Sequence, residues 1–166
     1  MAEFDLEKFK DLLHFIIDAC GDKPNVGKTV LYKLLYFSDF DFYEIYETKM
    51  TGESYRKIDN GPAPVDFDSA KNELIRESRI DEMESQQFTP YRYNSLETPD
   101  MSSFTEEELE LVKDVIDRYS DMRAGQISKF SHRDVPYKVT KCKEIIDYDY
   151  VFYRTKEFSL RDYDAE

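Results

Sequence analysis

The sequence predicts an α+β fold in which helices dominate, about six of them, with a small antiparallel β-hairpin. Three observations carry this. Several stretches repeat apolar residues at helical spacing. Between them, Met50 to Pro64 carries turn signals and prolines that no helix tolerates. The 166 residues contain no internal repeat, low-complexity tract or linker, so one domain over residues 1–158 is expected, followed by a charged tail, 159–166, that should fray.

The first helix runs from Asp5 to Cys20. Leu6, Phe9, Leu13, Ile16 and Cys20 recur on one face, while Lys8, Lys10, Asp11 and Asp18 fall mostly elsewhere. Gly21 and Pro24 stop it. A second helix starts near Asn25, a candidate N-cap, and continues to about Tyr46. Leu31, Leu34, Leu35, Ser38, Phe42 and Ile45 form an aliphatic face. Tyr32, Tyr36, Asp39, Tyr43 and Tyr46 form an aromatic one. A helix apolar on two faces belongs in the centre of a fold. Asp39, inside the aromatic stripe, then needs partners such as tyrosyl hydroxyls or backbone N–H groups.

Thr51-Gly52 and Asn60-Gly61 are turn signals, and Ser54 to Ile58 between them reads as a short strand. Gly61-Pro62-Ala63-Pro64 excludes a helix or a central strand. A short helix follows over Val65 to Ser78, with Ala70, Leu74 and Ile75 inward. Arg79 to Asn94 suggests a hairpin through Ile80, Phe88, Tyr91 and Tyr93, interrupted by Pro90. Ser95 to Ser103 is a loop. Thr105 opens a strong helix with a capping box to Glu108 and Leu109, Val112, Ile116 and Tyr119 behind it. Gly125 to Ser131 gives further helical turns, which Pro136 is expected to end. An extended piece at Ile145-Ile146 and a last helix follow.

Asp and Glu outnumber Lys and Arg by 36 to 23, a net charge of −13, and no local basic patch interrupts it. Such a field repels phosphate backbones and anionic membranes, so direct nucleic-acid binding is disfavoured. It favours solubility and, functionally, a basic partner. Thirteen Tyr and 12 Phe without Trp imply a core with hydrogen-bonded margins or aromatic binding surfaces. Two cysteines, a charged N-terminus and no long apolar run point to a cytoplasmic protein.

The sequence offers little chemistry. Gly27-Lys28-Thr29 imitates the end of a phosphate loop, but position 22 is Asp where that loop needs Gly, and the preceding element is a helix. His132-Arg133-Asp134 imitates a kinase catalytic loop, but Val139 stands where the motif needs Asn. His14, Cys20, His132 and Cys142 have no metal-ligand spacing, so neither metal nor cofactor is expected. Cys20 reads as a buried structural thiol and Cys142 as a surface one. No group stands out as a nucleophile with a nearby base, and no catalytic residue is assigned.

Four segments in order resemble one family. Leu31 to Phe40 is similar to the "KLLYFAD" helix of Panacea domains, the SocA-like antitoxins. Thr51-Gly52-Glu53-Ser54-Tyr55 resembles that family's "TGDxY", and Asn60-Gly61-Pro62-Ala63-Pro64 its "YGPVP". Ser131-His132-Arg133-Asp134-Val135-Pro136-Tyr137 resembles "SHxxxxW". The sequence departs from the pattern at Tyr137, in place of Trp, and at Asn60, in place of an aromatic residue. The resemblance implies a bacterial or phage antitoxin that neutralises a protein toxin by direct binding, in some relatives by delivering it to an ATP-dependent protease. It marks Tyr36, Asp39, Gly52, Tyr55, Gly61, Pro62, Pro64, Ser131, His132 and Tyr137 as the motif positions, holding the fold or touching the partner. For Gly52, Tyr55, Gly61 and Pro62 the simpler expectation is that they lock the loop onto the second helix. Asp39 and His132 are expected to pair as buried polar groups between helices.

Two other readings compete. An acidic inhibitor could imitate nucleic acid and block a host nucleic-acid-binding protein. This requires acids clustered on one face at phosphate-like spacing. An enzyme would require Asp39 and His132 within hydrogen-bonding reach in an apolar pocket.

Overall fold

Helix α2, Lys28–Tyr46, is the central element, packed by the helices Leu6–Cys20, Glu106–Tyr119 and Ala124–His132, by strand Gly61–Pro64 and by the 3₁₀ segment Tyr148–Tyr153. Its apolar residues leave no polar stripe, and from Val30 to Phe42 only Tyr32 escapes full burial. The computed structural model describes residues 3–21, 23–84 and 91–162. Among these, six α-helices, one 3₁₀ helix and two two-stranded antiparallel sheets give a helix-dominated α+β architecture. No helix among them is long and apolar enough to cross a membrane.

Helix α1, Leu6–Cys20, is capped by Asp5, whose carboxylate accepts from Lys8 N at 3.0 Å. Lys10, expected away from the apolar face, is buried instead. Its ammonium docks α1 onto α3, Phe67–Arg76, through Glu73 (3.1 Å) and Glu77 (2.8 Å). Asn25 does not cap α2. The chain makes a turn there, Val26 N donating to Lys23 O, and Gly27 becomes the N-cap residue. The Asn25 amide instead donates to Ser120 O (2.7 Å) and Met122 O (2.9 Å), satisfying carbonyls at the end of α4, Glu106–Tyr119. The capping box at the start of α4 joins Thr105 and Glu108 as the sequence predicts.

Strands β1, Tyr55–Ile58, and β2, Gly61–Pro64, pair with Tyr55 opposite Pro64 and Ile58 opposite Gly61. The prolines are tolerated because β2 has a neighbour on one side only. On the free side of β1 lies the extended piece around Ile145: Lys57 N donates to Glu144 O (3.0 Å) and Ile146 N to Tyr55 O (2.8 Å). The second sheet joins β3, Ile80–Glu84, to β4, Tyr91–Ser95. Phe88 and Pro90, used above to infer this hairpin, lie outside the described residues.

Pro136 begins a helix rather than ending one. Helix α5 is Ala124–His132, and Pro136 sits in the first turn of α6, Val135–Lys138, where the missing N–H is no loss. The last helix is the 3₁₀ segment Tyr148–Tyr153. The stretch from Ser159, expected to fray, is held through Leu160. Ser159 Oγ donates to Glu44 (2.7 Å) and so does Leu160 N (3.1 Å). Residues 163–166 of that tail lie outside the described residues.

Candidate functional site

The motif positions converge where α2, the β1–β2 hairpin and the α5–α6 corner meet. Their side chains are bonded mostly to one another or to nearby main chain. Asp39, fully buried, accepts from Thr51 N (3.1 Å), Thr51 Oγ1 (2.8 Å) and the Tyr55 hydroxyl (2.6 Å). Burial pushes its carboxyl up to about 6, and these three donors limit the rise. Tyr55 also lies 3.0 Å from Leu35 O, so one hydroxyl ties β1 to the middle of α2.

Gly52 has φ +79°, and a Cβ there would stand 2.9 Å from Glu3 O. The N-terminal strand of chain runs across this point, Asp5 N donating to Thr51 O. Gly61 has φ +115°, and a Cβ would meet both Lys33 Cε and Ser131 Oγ at 2.5 Å. Lys33 is buried with Pro62 O as acceptor at 3.3 Å, and burial depresses its ammonium to about 7. Ser131 Oγ donates to Ser128 O, a helix-internal bond. Pro64 is buried opposite Tyr55.

Asp39 and His132 do not form the expected pair. His132 stacks on Tyr137 at 4.8 Å with rings nearly parallel, and its Nε2 is buried without a hydrogen-bond partner. The Tyr137 hydroxyl donates to Ile58 O (2.6 Å), closing α6 onto the hairpin end. With Asp39 bonded to Thr51 and Tyr55, the acid–imidazole geometry that an enzyme reading required is not formed.

Sequence reasoning missed the most heavily charged part of the interior. Arg154, with a fully buried side chain, donates from Nε and Nη2 to Asp134 (3.0 and 2.8 Å). Its Nη1 reaches Asp41 (2.8 Å) and Glu44 (3.0 Å). Tyr36 adds its hydroxyl to Asp134 at 2.8 Å. Three carboxylates therefore share one guanidinium. Burial pushes the Asp41 carboxyl up to about 7 despite Arg154. The Asp41 and Glu44 positions on an otherwise largely apolar central helix are the only local hint. Arg154 follows the aromatic run Tyr148–Tyr153, which has no helical or alternating apolar pattern pointing to a buried cation, and gives none.

A further buried acid, Glu53, accepts from Ser54 N (2.8 Å) and Asp66 N (2.9 Å). Burial first, and hydrogen bonding with the Asp66 side chain second, hold its carboxyl up at about 9. These raised acids set the pH response. A raised folded-state value means that the native state holds a proton the unfolded chain has released, so the stability each contributes is lost as pH rises. For Asp39, Asp41 and Glu53 the losses begin near pH 4 and run to about 6, 7 and 9. Two bases oppose this. His14 is held below its ordinary value by burial, which adds stability with rising pH only up to about 6.5, and Lys33 adds it only above about 7. Glu77 and Glu82 are held low and lose stability only below about pH 4.5. Stability should therefore peak near pH 4–4.5 and fall towards pH 7, by at most about 1.4 kcal/mol per pH unit for each raised acid. Urea midpoints at pH 5, 6 and 7 check this; a midpoint that rises across the series contradicts it.

The remaining chemistry is sparse. The Cys20 thiol is buried and pushed up to about 11, and Cys142 is exposed. Lys28 of the imitation phosphate loop lies in the first turn of α2, 3.5 Å from Asp68. Among the described residues no group of three or more His, Cys, Asp or Glu is placed to hold a metal ion.

No curated protein and no solved structure matches the chain. A family model does. It covers residues 31–137, beginning at the first residue of the Leu31–Phe40 segment and ending at Tyr137, and so spans all ten motif positions. The joint of Asp39, Tyr55, Gly61, Ser131 and Tyr137 is thus the structural counterpart of that match, and the chain belongs to the antitoxin SocA-like, Panacea domain family.

Proposed function

We propose that this protein is an antitoxin that neutralises a protein toxin by direct binding, in the cytoplasm and without catalysis. The observation that carries this reading is the family match over residues 31–137. The physical description supports it. The motif residues are turned inward, the candidate acid–imidazole pair is not formed, and the chain carries a net charge of −13, a sign that suits a basic partner. Capture of the toxin is the first step whether inhibition is steric or proceeds by delivery to an ATP-dependent protease.

The test is co-expression with the product of the neighbouring gene. The expected result is rescue of growth together with a co-purifying complex. If that product is toxic and is neither bound nor relieved, the reading is wrong. Toxin half-life in the presence and absence of the antitoxin then separates the two routes: it shortens on delivery to a protease and lengthens or holds under steric inhibition.

A further inference from the structure

One cleft outside the motif joint is built unlike the rest of the surface. It lies between the C-terminal end of α2 and the outer face of α4, with a volume of about 280 Å³. Ile45 belongs to the aliphatic stripe of α2 and should be covered by the fold, yet it is 38% exposed, and Tyr46 beside it is 45% exposed. Tyr46 is not loose, because its ring stacks on Phe42 at 4.6 Å. On the opposite wall Glu107, Glu110 and Asp114 follow one another at helical spacing along one face of α4. Asp114 is paired with Arg118 at 3.1 Å. Among the described residues neither Glu107 nor Glu110 is paired with a cation.

The third wall is Leu160, whose placement depends on the buried charge cluster. Glu44 accepts from Arg154 on the inside and from Leu160 N and Ser159 Oγ on the outside. The cleft is therefore shaped before anything enters it, which lowers the ordering cost of binding. An apolar floor with a rigid aromatic, under a rim where Glu107 and Glu110 add negative charge beside the Asp114–Arg118 pair, suits one kind of occupant. Apolar side chains fill the floor while Lys or Arg side chains reach the rim, as on one face of a basic amphipathic helix. The volume lies just below the ~300–1,000 Å³ of small-molecule sites, and the cleft is open to solvent.

We propose that this groove is the docking site for a basic amphipathic segment of the partner protein, an inference that rests on the direct-binding reading and gives it a surface. The probe is a synthetic helical peptide of about 18 residues with Leu on one face, Lys on the other and a single Trp. The protein has no Trp, so Trp emission reports the peptide alone. The same peptide with Glu for Lys is the control. Binding of the Lys peptide should be saturable and weaken at least about tenfold in Glu107→Lys/Glu110→Lys and in Tyr46→Ala. Asp18→Lys, a single charge reversal at an exposed position of α1, should change it less than about twofold. The Glu peptide should not bind. Thermal melts confirm that the variants, all at exposed positions, remain folded.

Equal binding of both peptides, equal affinity in the groove variants, or no binding to the wild type overturns the inference. The neighbouring gene product separates it from the functional reading. A toxin bound equally well by the groove variants overturns the groove and leaves the antitoxin reading intact. A peptide-binding groove in a protein that ignores the toxin supports the groove and overturns that reading. Loss of toxin and peptide binding in the same variants supports both.

Discussion

Arg154→Met should destabilise the protein by about 3–5 kcal/mol, a large share of the stability of an ordinary domain. The side chain is fully buried and holds Asp134 by two parallel hydrogen bonds, with Asp41 and Glu44 on its remaining amino group. Methionine fills similar space but leaves three carboxylates facing one another without a cation. Taking charges out of water costs several kcal/mol each unless they are paired, and here the pairing partner is removed while the charges stay. The loss should also depend on pH. With no guanidinium to oppose its burial, the Asp41 carboxyl rises further, so more stability is lost between pH 5 and pH 8 than in the wild type. A steeper fall of the urea midpoint over that range is the specific signature. The loss should extend to the surface, because Glu44 also positions Ser159 and Leu160. Arg154→Lys keeps a charge but not the fork, and should fall between the two. A Met variant within about 1 kcal/mol of wild type would show that the cluster is not stabilising.

Gly61→Val should cost about 2–5 kcal/mol, from backbone strain and overpacking together. At φ +115° an L side chain is strained whatever the space around it, and the space is already taken. A Cβ would lie 2.5 Å from both Lys33 Cε and Ser131 Oγ. Neither neighbour yields cheaply. Ser131 is buried on α5 with its hydroxyl committed to Ser128 O, and Lys33 is enclosed with Pro62 O as its acceptor. The contrast is Gly125, in the first turns of α5, where a Cβ meets nothing within 4 Å. Gly125→Ala should stabilise by up to about 1 kcal/mol. Opposite signs at two glycines, read from urea midpoints, distinguish a site requirement from a general effect of removing glycine. A neutral Gly61→Val would remove the steric account of the Gly-Pro motif.

Much of the architecture was legible because it depends on local chemistry. The helical stripes of α1, α2 and α4, the Thr105–Glu108 capping box and the turn at Asn60-Gly61 are decided by residues within one or two turns of each other, whereas the pairing of Gly61–Pro64 as a strand was not foreseen. The need of Asp39 for partners was legible too, because a carboxylate in an aromatic stripe is costly when alone. The errors came where a residue serves a distant element. Asn25 has the chemistry of an N-cap, and it does satisfy helix-terminal backbone groups, but at the end of α4. Pro136 is compatible with either a helix end or a first turn, and packing of α6 on the 3₁₀ segment selects the second. His132 went to Tyr137 rather than Asp39, since aromatic stacking within the α5–α6 corner needs no reach across the core.

By itself the sequence determined a helix-dominated α+β chain, its central helix, its acidic charge and its family, each a property of composition, short-range spacing or motif order. Tertiary structure alone decided which charges are buried and what they hold. Arg154 meets Asp41 and Glu44 across more than a hundred residues, and no periodicity records such a distance. It also decided that Ile45 and Tyr46, continuations of buried stripes, emerge into a groove beside Glu107 and Glu110. Exposure is set by where the neighbouring helices end, and a hydrophobic pattern carries no information about that.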